Sequence, residues 1–407
     1  MSSIKTMSFL DKLLEGVEVE WKTLGEVAIF ANGKGHEKEI VVEGKYIVVN
    51  SKFISTDGKV AKYVNKQFCP LFIDDILIVM SDLPNGKALA KTFIVEQNER
   101  YTLNQRIGGI SIKNKSDLLP KFLNYFLNRC KQLTKYDNGV DQTNLQKKQI
   151  LDVQIPIPPL EIQQKIVGIL DTFTELTAEL TAELTARKQQ YSYYREQLFS
   201  FDEKEVKHLP LDDESIGEFQ RGKRFVKTDL ITKGVPTIHY GEMYTHYGTW
   251  ANETKSFVSE DLVKSKNLRV AVKGDVVIVA AGETIEDIGK GTAWLGDEGV
   301  VIHDACFSYK TVLNPKFVAY FTRTKQFHNQ IKKHISSGKI SAINANGLGK
   351  AIIPVPSQEE QERIVSILDK FDVLTNSISE GLPKEIELRQ KQYEYYRNQL
   401  LSFSASR

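Results

Sequence analysis

Gly289-Lys290-Gly291-Thr292 mimics a phosphate-binding loop. Such a loop needs a further glycine upstream so that backbone N–H groups can wrap the phosphate, and Glu283 to Ile288 contain none. The 7 histidines form no HExxH pair, and the 3 cysteines (Cys69, Cys130, Cys306) form no CxxC pair. Cysteines so far apart suit a reducing compartment and argue against a zinc site or a disulfide frame. Asp and Glu are scattered without a spacing that marks a nuclease centre. These absences favour a binding module over an enzyme. The chemistry left to the polar residues is recognition, with Arg221-Gly222-Lys223-Arg224 the densest cationic run on a glycine-containing loop.

The elements that must position such residues follow from length and pattern. A chain of 407 residues is long for one domain, and 41% hydrophobic with 26% charged residues is an ordinary globular composition. The strongest apolar runs, Ile76 to Met80 and Val276 to Ala281, fall far short of the roughly 20 residues of a membrane span. Leu10, Leu13 and Leu14 are interrupted by Asp11 and Lys12, so no signal peptide is expected and the location predicted is cytoplasmic. Cut after residues 155, 201 and 353, the chain gives segments of net charge +4, −2, +2 and −2. Globular parts are mildly basic and helical parts mildly acidic, a difference small enough to arise by chance. Charge alone does not establish a nucleic-acid partner.

The chain is one unit written twice. Pro156-Ile157-Pro158 followed by Ile166-Val167-Gly168-Ile169-Leu170-Asp171-Thr172-Phe173 recurs as Pro354-Val355-Pro356 followed by Ile364-Val365-Ser366-Ile367-Leu368-Asp369-Lys370-Phe371, an offset of 198 residues. Tyr191-Ser192-Tyr193-Tyr194-Arg195-Glu196-Gln197-Leu198 recurs as Tyr393-Glu394-Tyr395-Tyr396-Arg397-Asn398-Gln399-Leu400, an offset of 202. The second helical segment is therefore longer in its middle. The globular parts echo more faintly. Asp75-Ile76-Leu77-Ile78-Val79 matches Asp275-Val276-Val277-Ile278-Val279, and Pro120-Lys121-Phe122-Leu123-Asn124-Tyr125-Phe126 matches Pro315-Lys316-Phe317-Val318-Ala319-Tyr320-Phe321.

In the first helical segment Ile162, Ile166, Ile169, Phe173, Leu176, Leu180, Leu184, Tyr191, Tyr194, Leu198 and Phe201 step mostly by four and three, a heptad seam. A helix from about Pro159 to about Phe199 would run roughly 60 Å. Ser357-Gln358-Glu359-Glu360 is a capping-box pattern, and Gly381-Leu382-Pro383 should break the second helix. The helices can pair with each other, antiparallel, and still offer faces to partners; a hairpin that merely buries its own stripe is the plainer alternative. Tyr191, Tyr193 and Tyr194 are expected to pack between helices. The globular parts read as mixed α/β, with strands at Tyr46–Val49, Ile76–Met80, Phe93–Val95, Val276–Ala280 and Val300–His303. One helix is expected near 121–134 and one near 316–334.

Thr177-Ala178-Glu179-Leu180 is followed at once by Thr181-Ala182-Glu183-Leu184. One such block lengthens a helix by about 6 Å and turns it about 40° beyond a full turn. One base pair advances DNA by roughly 3.4 Å and about 35°. Block number would then re-aim one globular part against the other by about one base pair. The alternative is a slippage-prone repeat that a helix simply tolerates.

These residues resemble the DNA specificity subunit of type I restriction–modification systems. The repeated Pro-x-Pro to Ile-Leu-Asp-x-Phe segments look like its two spacers, and the globular parts like its two target recognition domains. The tandem blocks and the Tyr-x-Tyr-Tyr-Arg ends most resemble the type IC branch. The resemblance implies an α+β fold: recognition domains at 1–155 and 202–353, and long antiparallel coiled-coil spacers at 156–201 and 354–407, in a pseudo-twofold tandem duplication. It implies a non-catalytic subunit that reads a bipartite double-stranded DNA site. Two modification subunits would methylate adenine with S-adenosylmethionine, and separate restriction subunits would use ATP and magnesium. No cofactor is expected in this chain. An adenine methyltransferase would carry Asn/Asp-Pro-Pro-aromatic, whereas Pro158-Pro159 is followed by Leu160.

Base readout uses Arg, Lys, Asn, Gln and acidic side chains on loops, while phosphate contacts position the protein. In the second domain the candidates are Arg221, Lys223, Arg224, His239, Tyr240, Glu242, Lys290, His303 and Asp304. In the first they are Lys34, Lys38, Asn50, Lys52, Lys87, Asn104, Gln105 and Arg106. Each could instead be solvated surface or a satisfied core residue. A protein-interaction scaffold with two heads, and a self-contained nuclease, remain the alternative functions.

Overall fold

The computed structural model describes residue 10 and residues 13–84, 86–377 and 379–403. Asp11 and Lys12 lie outside the described residues. No described helix is long and apolar enough to cross a membrane.

Among the described residues each globular part holds a larger sheet, a smaller sheet and two two-stranded ribbons, with a short apolar strand inside the larger sheet. In the first, Ile76–Val79 is buried throughout and lies second from the edge of an antiparallel sheet ordered Ala28–Asn32, Ile107–Ile112, Ile76–Val79, Thr92–Ile94. Successive side chains of a strand point to opposite faces. Ile76 and Ile78 accordingly join Phe122 and Ile110 in one core, and Leu77 and Val79 join Phe53 and Leu103 in another. The second part repeats the order with Gly217–Arg221, Cys306–Thr311, Val276–Val279 and Gly291–Trp294, and adds Trp250–Ala251 at the edge. The smaller sheets also correspond. Tyr46–Val49 pairs in parallel with Tyr101–Leu103, and Val235–Ile238 in parallel with Val300–Ile302.

The single helix expected near 121–134 is two, Pro120–Leu127 and Lys131–Thr134. Arg129 between them is left-handed at φ +54°, which stops the first helix. The helix expected near 316–334 likewise divides into Pro315–Phe321 and Lys325–Ile331. There Thr324 restarts the helix by accepting the Phe327 N–H at 3.1 Å. A left-handed residue in the first head and a side-chain cap in the second outweigh the continuous apolar pattern.

The first spacer is one helix, Leu160–Leu198. The second is broken into Gln358–Asn376 and Gly381–Leu400. Ser357 caps it by accepting from the Glu360 N–H, but the Glu360 carboxylate turns to Arg363 at 2.6 and 2.7 Å. Gly381 carries the break: its φ is +77°, and a Cβ there would lie 2.3 Å from the Val373 carbonyl oxygen.

The chain forms two compact units, Met1–Glu179 with Ile386–Arg407, and Leu180–Glu385. Each unit joins one head to the start of its own spacer and the end of the other. In the first unit the helix leaves the head at Leu160, Phe173 stacks on Tyr396 at 5.3 Å, and Phe403 meets Phe122 in the head at 6.1 Å. The two helical segments there run antiparallel. In the second, Tyr191 and Tyr194 stack on Phe371 at 5.9 and 5.5 Å, while Phe199 packs on Phe317 of the head at 4.8 Å. Tyr193 does not pack between helices; it is 61% exposed. The repeated glutamine of each spacer ties it to its head. Gln163 accepts the Leu119 N–H and donates to the carbonyls of Asp117 and Pro158, and Gln361 accepts the Asn314 N–H and donates to the Pro356 carbonyl.

Candidate nucleic-acid interface

Parallel pairing delivers two chain ends to the same edge of a sheet. In the first head, Asn50 follows Tyr46–Val49 and Asn104 follows Tyr101–Leu103, and the Asn104 N–H donates to the Val49 carbonyl at 3.3 Å. The strand Ala28–Asn32 runs out beside them as Gly33-Lys34-Gly35-His36. Gly33 passes so close that a Cβ would fall 2.0 Å from the Asn104 carbonyl oxygen, and the Lys34 N–H donates to the Leu103 carbonyl at 3.1 Å. Asn50 caps the helix Ser51–Ser55 by accepting the Phe53 N–H at 2.9 Å.

The outcome is a concavity of about 360 Å³ lined by Glu37, Asn50, Ser51, Lys52, Asn104, Gln105 and Arg106. A second, of about 310 Å³, shares Glu37, Asn50 and Asn104 with it and is also lined by His36 and Lys62. Lys52 and Arg106 are exposed on the rim, and Gln105 donates to the Glu37 carboxylate at 3.1 Å. Five of the eight residues singled out in this head thus line one concavity. Lys34 is exposed beside it, bridged through its backbone to Asn104. Lys38, on the turn Glu37–Glu39, is exposed and lines neither. Lys87 sits elsewhere, on a loop held by Asp82, which accepts the N–H groups of Leu83, Ala88 and Leu89.

The second head builds the same corner from different side chains. Gly222 takes the place of Gly33, with a Cβ position 2.1 Å from the His303 carbonyl oxygen, and Lys223 donates its N–H to Ile302 at 3.3 Å. His239 and His303 follow the parallel strands. Arg221 donates to the Asp304 carbonyl at 3.0 Å with its guanidinium 5.9 Å from the Phe307 ring, and Arg224 is exposed. The rings of Phe225, His239, Tyr240 and His303 form one cluster, with centroids between 4.7 and 5.9 Å apart. Glu242 lies behind it, accepting from the His239 N–H at 3.2 Å and from Ser256.

Burial pushes both imidazoles below their ordinary pKa, against smaller upward pulls from Glu242 on His239 and from Asp304 on His303. His303 Nδ1 lies 3.0 Å from the Asp304 carboxylate. Yet Nδ1 accepts the Ala305 N–H at 3.1 Å while Nε2 meets the Phe225 carbonyl at 2.9 Å. Both ring nitrogens are used by the neutral form, so His303 is a satisfied internal residue rather than half of an ion pair. Lys290 is not part of the corner. Its ammonium lies 2.5 Å from Asp287, whose carboxyl is held below the usual range by Lys290 and Thr284 against the effect of burial. The adjoining Gly291–Trp294 is a buried strand, not a phosphate-cradling loop.

His36, Glu37 and Thr102 were not singled out from the sequence. One signal could have found the corner. Gly-Lys follows the first sheet strand in both heads, as Gly33-Lys34 and Gly222-Lys223, although the flanking residues differ. What the corners offer is exposed cations on a rim and hydrogen-bonding groups held by the backbone inside it. That combination suits positioning on phosphates with readout of base edges.

The tandem blocks lie inside the helix Leu160–Leu198, and the division between the compact units falls within them, after Glu179. Thr177 donates to the Phe173 carbonyl at 2.8 Å. Leu180 is buried and Leu184 half-buried; Thr181 is half-buried, while Ala178, Glu179, Ala182 and Glu183 face solvent.

A family model described as the type I restriction modification DNA specificity domain matches residues 16–187 and again 204–388. The specificity subunit of an Escherichia coli type I restriction enzyme is 32% identical over 417 residues, covering 98% of this chain and 97% of that protein. An S subunit from M. genitalium matches with a TM-score of 0.51 at 16% identity, over 96% of this chain and 98% of that one. A chain from a structure of type I restriction–modification complex assembly matches with a TM-score of 0.61 at 15% identity, over 94% and 97%. With two domain matches that span most of its length, one to each half of the duplication, the chain belongs to the family of type I restriction–modification DNA specificity subunits.

Proposed function

We propose that this subunit reads a split site on double-stranded DNA, one half with each head, and that its helices hold the gap between the halves. The observation that carries the reading is the pair of equivalent corners, at Gly33 and Asn104 and at Gly222 and His303, built on one scaffold but furnished differently. Two copies of one reader would need one set of side chains; two different half-sites need two. The helical segments of each unit supply the docking surface for two modification subunits, which bring S-adenosylmethionine and methylate adenine. Restriction subunits add ATP- and magnesium-dependent cleavage, and this chain works without a cofactor of its own. The tandem blocks support a place in the type IC branch. A gel-shift selection with a randomised duplex library, run with and without the modification subunits, tests this. Enrichment of two constant half-sites around an unread gap is expected, and enrichment of a single continuous site would overturn it.

A further inference from the structure

The two corners differ in one respect that bears on what they hold. In the second head the nitrogens of His303 are both occupied within the protein. In the first head two acceptors are not. His36 is 1% exposed, and its Nδ1 has no hydrogen-bond partner among the described residues; the same is true of Asn104 Oδ1. The neighbour of His36 bears on its tautomer. Thr102 Oγ1 accepts the Cys69 N–H at 3.2 Å and directs its own proton to the Cys69 carbonyl at 3.3 Å. With the hydroxyl proton on that carbonyl, the contact with His36 Nε2, at 3.1 Å, takes the ring proton from Nε2. In the neutral ring Nδ1 is then a bare acceptor. Both orphaned acceptors belong to residues that line the cavity of about 310 Å³, together with Asn50 and Glu37.

A buried acceptor left empty costs free energy, so this lining is shaped for a group that donates. A phosphate presents only acceptors and would leave both atoms unfilled beside the Glu37 carboxylate. In the major groove the donors on base edges are the exocyclic amino groups, adenine N6 and cytosine N4. We infer that the His36–Asn104 corner of the first head reads one base of its half-site through that base's exocyclic amino group, with Asn104 and His36 as specificity-determining acceptors. This rests on the DNA reading above. Lys52 and Arg106 on the rim would take the flanking phosphates.

The test is selection of bound sequences from a randomised duplex library by the full chain assembled with its modification subunits. Asn104→Leu and His36→Phe remove an acceptor at nearly constant volume and should each abolish the preference at one and the same position of one half-site. Asn104→Asp keeps an oxygen acceptor and should keep that preference at lower affinity. The second half-site, unchanged throughout, reports that each variant is folded and assembled. Duplexes carrying unsubstituted purine in place of the read adenine, or a pyrimidinone in place of the read cytosine, should lose roughly 10- to 100-fold in affinity and tell the two bases apart. An unaltered first half-site in Asn104→Leu, or no loss with either base analogue, overturns the inference while the second half-site keeps the general reading intact. Failure of the wild-type chain to enrich any split site would remove both.

Discussion

The Tyr320 hydroxyl donates to the Asp369 carboxylate at 2.7 Å, as the Tyr125 hydroxyl does to Asp171 at 2.6 Å. The same carboxylates take Lys316 at 2.5 Å and Lys121 at 2.7 Å. Two of the repeated sequence motifs, one in each head and one in each spacer, thus meet at the same clasp.

The clasps should differ in strength. Lys316 is 17% exposed in its side chain and Lys121 57%, so breaking the second leaves a more buried charge unpaired. Asp369→Ala is expected to cost about 3 kcal/mol and Asp171→Ala about 1 kcal/mol. Denaturant unfolding of the full chain reads both, and equal costs would contradict the burial argument. Tyr320→Phe should lose about 1.5 kcal/mol on the same assay, the worth of one hydrogen bond to a charged group.

Gly381 is the one residue type that fits its position without strain. Gly381→Ala must adopt a left-handed backbone with its Cβ against the Val373 carbonyl. A loss of about 2 kcal/mol is expected, and a neutral or stabilising effect in thermal unfolding would show that the break in the spacer can be rebuilt elsewhere.

Lys223 and Arg224 should act through phosphates. The double variant Lys223→Ala with Arg224→Ala is expected to weaken DNA binding at low salt. It should also reduce the slope of log affinity against log salt by about 2. An affinity unchanged across salt would take both residues off the contact surface.

Removal of Thr181 to Leu184 should shorten the unread gap by about one base pair and leave both half-sites alone, because one block turns the helix by about as much as one base-pair step turns DNA. Mapping methylated sites for the shortened subunit checks it. A changed half-site would mean that the blocks act on readout rather than on spacing.

Alkali should weaken the second unit in a defined window. Burial pushes the Cys306 thiol from 9.0 up to about 12. An acid whose folded pKa is raised stabilises fully below its unfolded value, and that stability is lost as pH rises towards the folded value. Between pH 9 and about 12 the loss should be about 1.4 kcal/mol per unit from this group. Cys306→Val should flatten that dependence in unfolding titrations relative to the wild type, and an unchanged slope would place the effect on other groups.

Much of this protein is legible in its sequence, and the reason is periodicity. A 39-residue helix advertises itself through repeated steps of four and three, and an internal duplication through repeated words. Gly381 marked its own break because only glycine relaxes at that φ. The tertiary structure decided what is set by distance. It split the predicted head helices at a left-handed Arg129 and at the Thr324 cap, neither of which contributes a periodic signal. It placed Asn50 beside Asn104, 54 residues apart in number, because two parallel strands end at one edge. It withdrew Lys290 into a pair with Asp287 and gave both nitrogens of His303 to the protein itself. Residue type announces what a side chain can bond. Only the fold decides whether that bond is already made inside the chain, as for His303, or left open, as for His36 and Asn104.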